Sequence, residues 1–396
     1  MYYNLSIQSD SNLQHFLISN TFFPENECFN LSTNLAELNA DREILEKFNQ
    51  FTPSAAEEDS VSVSNLDLHT SFVEFEEQDS GLIIYGLGGY AFTHVLPGLQ
   101  DLKRLACVDY KYMRAREFKE NHGFKYFFQT PDETENLLRQ TRSPVVVIAT
   151  YHSDHARLAK WVFEKNSNAI IFIEKPPCVT LDDLEMLEYI YRAGAKIEVG
   201  FNRRYAPIYR KIKKVVSGKK LFITFSIKEV LIKQNHWYNW PNQGTRLTGN
   251  LVHWIDLANY WIDAEPIDLV MNFSNTSLDD FTLSVSYDDG SLVNITCSDK
   301  GNSLRGVQEL AEIRFDSQTI LVDDNLGYRH IKTDGRNFNR RMQFRNKGHS
   351  IMYEEFNKNI KSEIFNYKLD DLVRTSKVTV AATEMLLKGL HHKKIV

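Results

Sequence analysis

Between residues 82 and 201, short, largely apolar runs, two of them (144–150 and 169–174) apolar almost throughout, alternate with stretches of helical periodicity, and this alternation leaves few folds open. The runs are LIIY (82–85), RLACVDY (104–110), PVVVIAT (144–150), AIIFIE (169–174) and KIEVGF (196–201). A strand that is apolar at consecutive positions is covered on both faces, as strands of a parallel sheet are. Parallel neighbours need crossover connections, usually helices. HARLAKWVFEKN (155–166) and LDDLEMLEYIYRAG (181–194) supply two of them. The reading is a Rossmann-type doubly wound parallel sheet over residues 81–204.

The rest of the chain differs on both sides. From 205 to 396, KLFITFSIKEVLI (220–232), IDLVMNFS (267–274), FTLSVSY (281–287), SLVNITCS (291–298) and AEIRFD (311–316) alternate with turn residues such as DDG, which predicts an open, mostly antiparallel sheet. Helices are expected over 249–262, 349–361 and 369–388. Residues 1–80 read as an acidic arm with a helix over 32–48 and a Ser-rich acidic linker over 54–80. This arm holds 15 Asp/Glu against 2 Lys/Arg, so the remaining chain is net positive although the whole is −6. A mildly basic body suits an anionic ligand. The overall acidity argues against a nucleic-acid partner. No apolar run is long enough for a membrane span and no leader pattern opens the chain, so a cytoplasmic protein is expected. Cys28, Cys107, Cys178 and Cys297 are scattered, with neither zinc spacing nor a disulfide framework.

The first apolar run ends in IIYGLGGYAF (83–92). Gly86-x-Gly88-x-x-Ala91 after a strand is the spacing of a dinucleotide turn. The first glycine permits the tight turn, the second lets backbone approach a pyrophosphate, and the small third residue lets helix and strand pack closely. The helix after the turn offers its N–H groups to phosphate. Asp109 ends the second strand, where an acidic residue holds a ribose hydroxyl. That carboxylate favours NAD over NADP, and Lys111 and Arg114 behind it keep NADP possible. An ordinary strand-to-helix turn has the same glycine spacing.

Two more stretches carry chemistry. Glu174-Lys175-Pro176 closes a buried strand, at the sheet edge where open α/β sheets bind ligands. Lys175 there can bind a hydroxyl or move a proton, although a surface lysine at a strand exit reads the same. GNLVHWIDLANYW (249–261) sets His253 and Asp256 three apart on one helical face. Such a pair supports proton transfer, or is a satisfied core histidine. Arg203, Arg204 and Arg246 are candidates for a substrate phosphate or carboxylate, or structural ion pairs. The aromatic run HWYNW (236–240), with Trp237, walls a sugar or uracil ring or belongs to the core.

In order, the glycine turn, ATYHSDH (149–155), EKP, VGFNRRYAP and H-x-x-D resemble the Gfo/Idh/MocA oxidoreductases, over about residues 81–390. The resemblance implies hydride transfer between NAD(P) and a hydroxyl or carbonyl carbon of a sugar or nucleotide-sugar-like substrate, without a metal, in a homodimer or homotetramer. It assigns catalysis to Lys175, His253 and Asp256. It assigns the cofactor to Gly86, Gly88, Gly89, Tyr90, Ala91, Asp109, Thr150, His155, Glu174 and Lys175. Arg203, Arg204, Trp237, Arg246 and Asn250 fall to the substrate. Two departures stand out: Tyr151 where the family often has Pro, and Asn250 where the most similar branch typically carries an acid. Other readings of the same motifs are an epimerase or lyase with tightly held NAD, and a dinucleotide-binding regulator or partner subunit without catalysis.

Overall fold

The computed structural model describes residues 3–10, 13–20, 75–233, 236–301, 306–365 and 367–395. The chain divides into two units, residues 1–75 and 76–396. In the first, β1 (Tyr3–Asp10) and β2 (Leu13–Asn20) pair antiparallel, from Tyr3 opposite Asn20 to Asp10 opposite Leu13. The period-two run Asn4-Leu5-Ser6-Ile7-Gln8 is its sequence signal. The helix expected over 32–48 and the linker up to residue 74 lie outside the described residues.

The second unit opens with a six-stranded parallel sheet. Its strands are β3 (Gln78–Tyr85), β4 (Arg104–Val108), β5 (Tyr126–Phe128), β6 (Thr141–Ile148), β7 (Ile170–Ile173) and β8 (Lys196–Val199), in the order β5-β4-β3-β6-β7-β8. This is the doubly wound arrangement, and the order reverses between β3 and β6. Ligands bind at that reversal, beyond the carboxyl ends of the strands. Leu82–Tyr85 and Val145–Ile148 are buried on both faces, as their unbroken apolar runs require. Truncating Ile84 to Ala costs about 2–5 kcal/mol on this basis. β5 escaped the sequence reading because it is three residues long and half-buried.

The other sheet has nine strands: β9 (Phe222–Lys228), β10 (Pro266–Phe273), β11 (Phe281–Tyr287), β12 (Leu292–Ser298), β13 (Gln308–Phe315), β14 (Gln318–Asp323), β15 (Gly327–Ile331), β16 (Asn337–Arg341) and β17 (His392–Lys394). They run β16-β15-β14-β13-β9-β12-β11-β10-β17, antiparallel except for the β9–β12 pair. β11 shows the two-sided pattern: Phe281, Leu283, Val285 and Tyr287 are buried, while the intervening Thr and Ser side chains are not. The buried face packs with Trp254 and Trp261 of the helix Val252–Trp261 and with Val378, Ala382 and Met385 of the helix Leu369–Lys388. Among the described residues no helix is long and apolar enough to cross a membrane.

Candidate functional site

The glycine turn divides into one glycine the fold needs and two it does not. Gly86 has φ +88°, and a Cβ there would lie 2.3 Å from the Ala149 carbonyl oxygen, so the approach of β3 to the chain leaving β6 requires glycine. Gly88 and Gly89 have no left-handed backbone, and a Cβ on either would meet nothing within 4 Å. Nothing inside the protein asks for their missing side chains, and the space they leave fits an approaching pyrophosphate. Ala91 is fully buried, consistent with close packing of the helix on the sheet. Asp109, also buried, accepts N–H bonds from Leu87 (3.1 Å) and Lys111 (3.0 Å) and meets Arg114 Nη1 at 3.4 Å. Its carboxylate thus fixes the glycine turn itself, with Arg114 half-exposed at the rim.

The loops leaving β6 and β7 are clamped together. His155 is buried, with Nδ1 2.7 Å from the Pro176 carbonyl and Nε2 3.2 Å from the Thr150 carbonyl. Burial pulls its pKa down to about 4, so the neutral ring serves the backbone of both loops. Thr150 itself lies against Gly86. Further along, Thr180 and Asp183 cap the next helix reciprocally and anchor the exit of the Lys175 loop. Glu174 is buried against Gly200, where a Cβ would strike its carboxyl group. Burial raises its pKa to about 7, against the nearby Lys175 charge and hydrogen bonds from Tyr90 and Tyr353. Lys175 donates from Nζ to the Gly249 carbonyl at 2.7 Å, which ties the parallel sheet to the second half of the unit.

Gly249 belongs to a π-helical turn, Leu247–Leu251, that leads directly into the helix carrying His253. Wide turns of this kind recur at functional sites. Gly249 is required here, since a Cβ would lie 2.8 Å from the Tyr238 ring and 2.9 Å from His152. His253 is buried and, among the described residues, its Nδ1 has no hydrogen-bond partner. Burial, then the charges of Arg203, Lys175 and Lys347, hold its pKa well below the usual histidine value. The ring is therefore neutral at pH 7. A buried polar atom left unpaired asks for an explanation.

Asp256 does not reach back to His253 through its carboxylate. It is fully buried and chelated by Arg204, Nε to Oδ2 at 2.7 Å and Nη2 to Oδ1 at 2.6 Å, with Tyr367 donating at 3.2 Å. Arg204 also meets Asp371 at 2.7 Å. The two other arginines are likewise spent within the protein. Arg203 binds Glu309 at 2.8 Å and stacks 3.8 Å from the centre of a Trp254 ring. Arg246 binds Glu229 at 3.0 Å and Asp279 at 2.9 Å. Asn250 donates to the other oxygen of Glu229. A buried carboxylate thus stands at Glu229, beside the position where the resemblance led one to expect an acid.

The aromatic run forms one wall. Trp237 meets Tyr151 at 5.2 Å and His152 at 4.6 Å between ring centres, and Trp240 meets Tyr151 at 5.3 Å. Four groups at the site were not singled out from sequence. His152 is buried with Nδ1 3.1 Å from the Gln243 carbonyl. Glu229 is the shared partner of Arg246 and Asn250. Lys347 donates to the Val307 carbonyl at 2.7 Å, and burial lowers its pKa to about 8. His349 lies 4.4 Å from His94, ring to ring. His152 stood inside ATYHSDH, but the other three sit after strands or in loops with no motif. Among the described residues no group of three or more His, Cys, Asp or Glu is placed to hold a metal ion.

No family model matches the chain. An uncharacterized oxidoreductase of Bacillus subtilis, YrbE, is 22% identical over 302 residues, 72% of this chain and 84% of that protein. The myo-inositol 2-dehydrogenase of Thermotoga maritima is 27% identical over 138 residues, 34% of this chain and 40% of that one. Among solved structures, an oxidoreductase domain protein from Kribbella flavida superimposes with a TM-score of 0.68 at 13% identity, covering 81% of this chain and 100% of that one. GenD2 of gentamicin A biosynthesis, solved with NAD, gives 0.66 at 15%, covering 81% and 97%. The aldose-aldose oxidoreductase of Caulobacter crescentus, solved with glycerol, gives 0.66 at 16%, covering 80% and 100%. The chain shares the fold of these oxidoreductases: a doubly wound parallel sheet joined to an open, mostly antiparallel one.

Proposed function

We propose that this protein is an NAD(P)-dependent oxidoreductase acting on a hydroxyl or carbonyl carbon of a sugar-like small molecule. The observation that carries the reading is Lys175, just past the carboxyl end of a parallel strand, bonded at 2.7 Å to the Gly249 carbonyl four residues before the neutral His253, together with a glycine turn whose Gly88 and Gly89 face open space. The named relatives point the same way: one structure was solved with NAD, another is described as NADPH-dependent, and two names concern inositol or aldose chemistry.

When bound, the nicotinamide cofactor supplies or accepts the hydride. Gly88 and Gly89 leave room for its pyrophosphate, and Asp109 would meet the ribose. Arg114 at the rim of that carboxylate keeps a 2′-phosphate admissible. Lys175 exchanges its bond to the Gly249 carbonyl for one to the reacting oxygen. His253, neutral because buried near positive charges, receives the hydroxyl proton at a ring nitrogen on oxidation and returns it on reduction. Arg204 holds Asp256 in place, so Asp256 supports the His253 helix as a positioning residue. Trp237, Tyr151 and Tyr238 exclude water on one side.

The test is a screen of sugars, cyclitols and their oxidised forms, with cofactor turnover monitored by absorbance. A substrate turned over by the wild type and slowed at least about a hundredfold by Lys175→Ala or His253→Gln supports the roles assigned. Unchanged turnover in both variants contradicts them.

A further inference from the structure

Tyr110 and Tyr151 stand at two different strand exits, and the chemistry assigned to Lys175 and His253 uses neither hydroxyl. Tyr110 follows Asp109 after β4. Tyr151 follows Thr150, whose backbone lies against Gly86, after β6. β4 and β6 flank β3 on opposite sides, so their exits form the two banks of the crevice beyond the glycine turn. Across that crevice the two phenol hydroxyls are hydrogen-bonded. The charges of Asp109 and Arg114 both act on the Tyr151 hydroxyl, so the contact lies at the end of the crevice assigned to the ribose.

The fold itself does not ask for a tyrosine at 151. The backbone there has φ −72° and ψ 152°, within the range that proline adopts. The side chain is half-buried, outside the apolar core. What holds its ring is a backing of aromatic rings, Trp237 edge-on at 5.2 Å and Trp240 at 5.3 Å. That backing is fastened to the residues after Tyr151. Gln243 and Asn242 donate to the Ser153 hydroxyl at 2.9 and 3.3 Å, and His152 Nδ1 lies 3.1 Å from the Gln243 carbonyl. The opposite bank is held as well: Gln129 donates to the Tyr110 carbonyl at 3.3 Å, and Lys111 Nζ sits 5.5 Å from the centre of the Tyr110 ring. Two anchored rings therefore reach across the crevice and meet only at their hydroxyls.

We propose that the Tyr110–Tyr151 pair is a clasp over the adenosine end of the crevice, which must part for a dinucleotide to enter or leave. The proposal rests on the oxidoreductase reading. The clasp sets how fast the cofactor exchanges, and leaves the proton transfer at Lys175 and His253 untouched. A step of this kind, opening over a bound cofactor, sets the turnover of many enzymes. Because the same hydrogen bond blocks both directions, its loss speeds uptake and release together, and the affinity moves less than either rate. A hydroxyl that touched the nucleotide directly would change release alone. A ring that only packs on Trp237 and Trp240 would change neither when its hydroxyl is removed.

The probe is NADH, with uptake by the full chain and release into excess NAD both followed by stopped-flow fluorescence. Tyr151→Phe and Tyr110→Phe are each expected to speed uptake and release by about two- to tenfold, the range of one neutral hydrogen bond. The double variant is expected to be no faster than either single one, because both substitutions remove the same bond. Tyr151→Pro, which also removes the ring, is expected to speed both at least about tenfold. Unchanged rates in Tyr151→Phe, faster release without faster uptake, or a double variant whose effect is the product of the two single ones overturns the proposal. Failure of the oxidoreductase reading looks different: the wild type then takes up no NADH and yields no dinucleotide on denaturation, and the clasp falls with it. NADH binding with unaltered rates in the variants refutes the clasp alone.

Discussion

Replacing Arg204 with Met removes a guanidinium, keeps most of its apolar stem, and strands a buried carboxylate. Arg204 is the cation that chelates Asp256 and the second cation on Asp371, with all three side chains at least about nine-tenths buried. It also sits over the Tyr367 ring at 4.6 Å. Asp371 keeps Arg374 at 2.8 Å, but Asp256 is left with only the Tyr367 hydroxyl. Breaking a buried pair from one side costs about 3–5 kcal/mol, because the remaining charge is stranded in low dielectric. Unfolding entropy of roughly 2.1 cal/mol/K per residue over the roughly 320 residues of this unit gives ~0.7 kcal/mol/K, so Tm falls by ~4–7 °C. Burial already raises the Asp256 pKa to about 6, and loss of Arg204 raises it further. The stranded carboxyl then escapes by taking a proton, so the deficit is smaller at pH 5 than at pH 8. Adding Asp256→Asn to Arg204→Met is expected to restore part of the loss. Thermal unfolding of the wild type, Arg204→Met, Asp256→Asn and the double variant at both pH values is the assay. A Tm within 1 °C of wild type for Arg204→Met, or no recovery in the double variant, refutes the assignment of Arg204 to the frame and returns it to the substrate.

Gly86→Ala forces an alanine into φ +88°, about 1–2 kcal/mol for the backbone alone, and sets Cβ 2.3 Å from a carbonyl; lower stability by denaturant titration and weakened NADH binding are expected together. Lys175→Ala is expected to lower the rate at least about a hundredfold with an unchanged far-UV spectrum, since its nitrogen donates to the Gly249 carbonyl, and the buried Glu174, which loses the Lys175 charge, answers by taking up a proton. Glu174 gives a pH signature: between the ordinary 4.5 and about 7 the folded chain retains a proton that the unfolded chain has released, so this group's contribution to stability falls as pH rises through that window. Glu174→Gln is expected to remove that slope and to be the more stable protein at pH 8, measured by urea midpoints at pH 5 and 8.

How far the sequence spoke depended on which signal each part carries. Strands buried on both faces announced themselves, because Leu82–Tyr85 and Val145–Ile148 have no polar interruption. β11 was legible within its observed bounds from strict alternation. β16 was not, since all five of its residues are exposed and its composition is that of a solvated loop. The three-residue β5 and β17 fall below the length at which any period can be seen. At the candidate site, motif spacing singled out Lys175, His253 and Asp256, and it could not tell what Asp256 faces: helical periodicity puts two residues on one side but says nothing of an arginine arriving from position 204. The same limit applies to Arg203 and Arg246, whose partners Glu309, Glu229 and Asp279 are remote in sequence. Asn250 read as a lost charge, and only the fold brings Glu229 to it.

The open glycines leave space for a dinucleotide, and Gly88→Val tests the use of that space most directly. A Cβ at Gly88 meets nothing within 4 Å and the backbone there is not left-handed, so the fold has no reason to reject the substitution. Fluorescence titration with NADH, and in parallel NADPH, is expected to show saturable binding to the wild type and none to Gly88→Val, with the two proteins unfolding at the same temperature. Equal NADH binding by both proteins, or no binding of either nucleotide by the wild type and no bound cofactor released on its denaturation, contradicts the assignment of the turn to a dinucleotide.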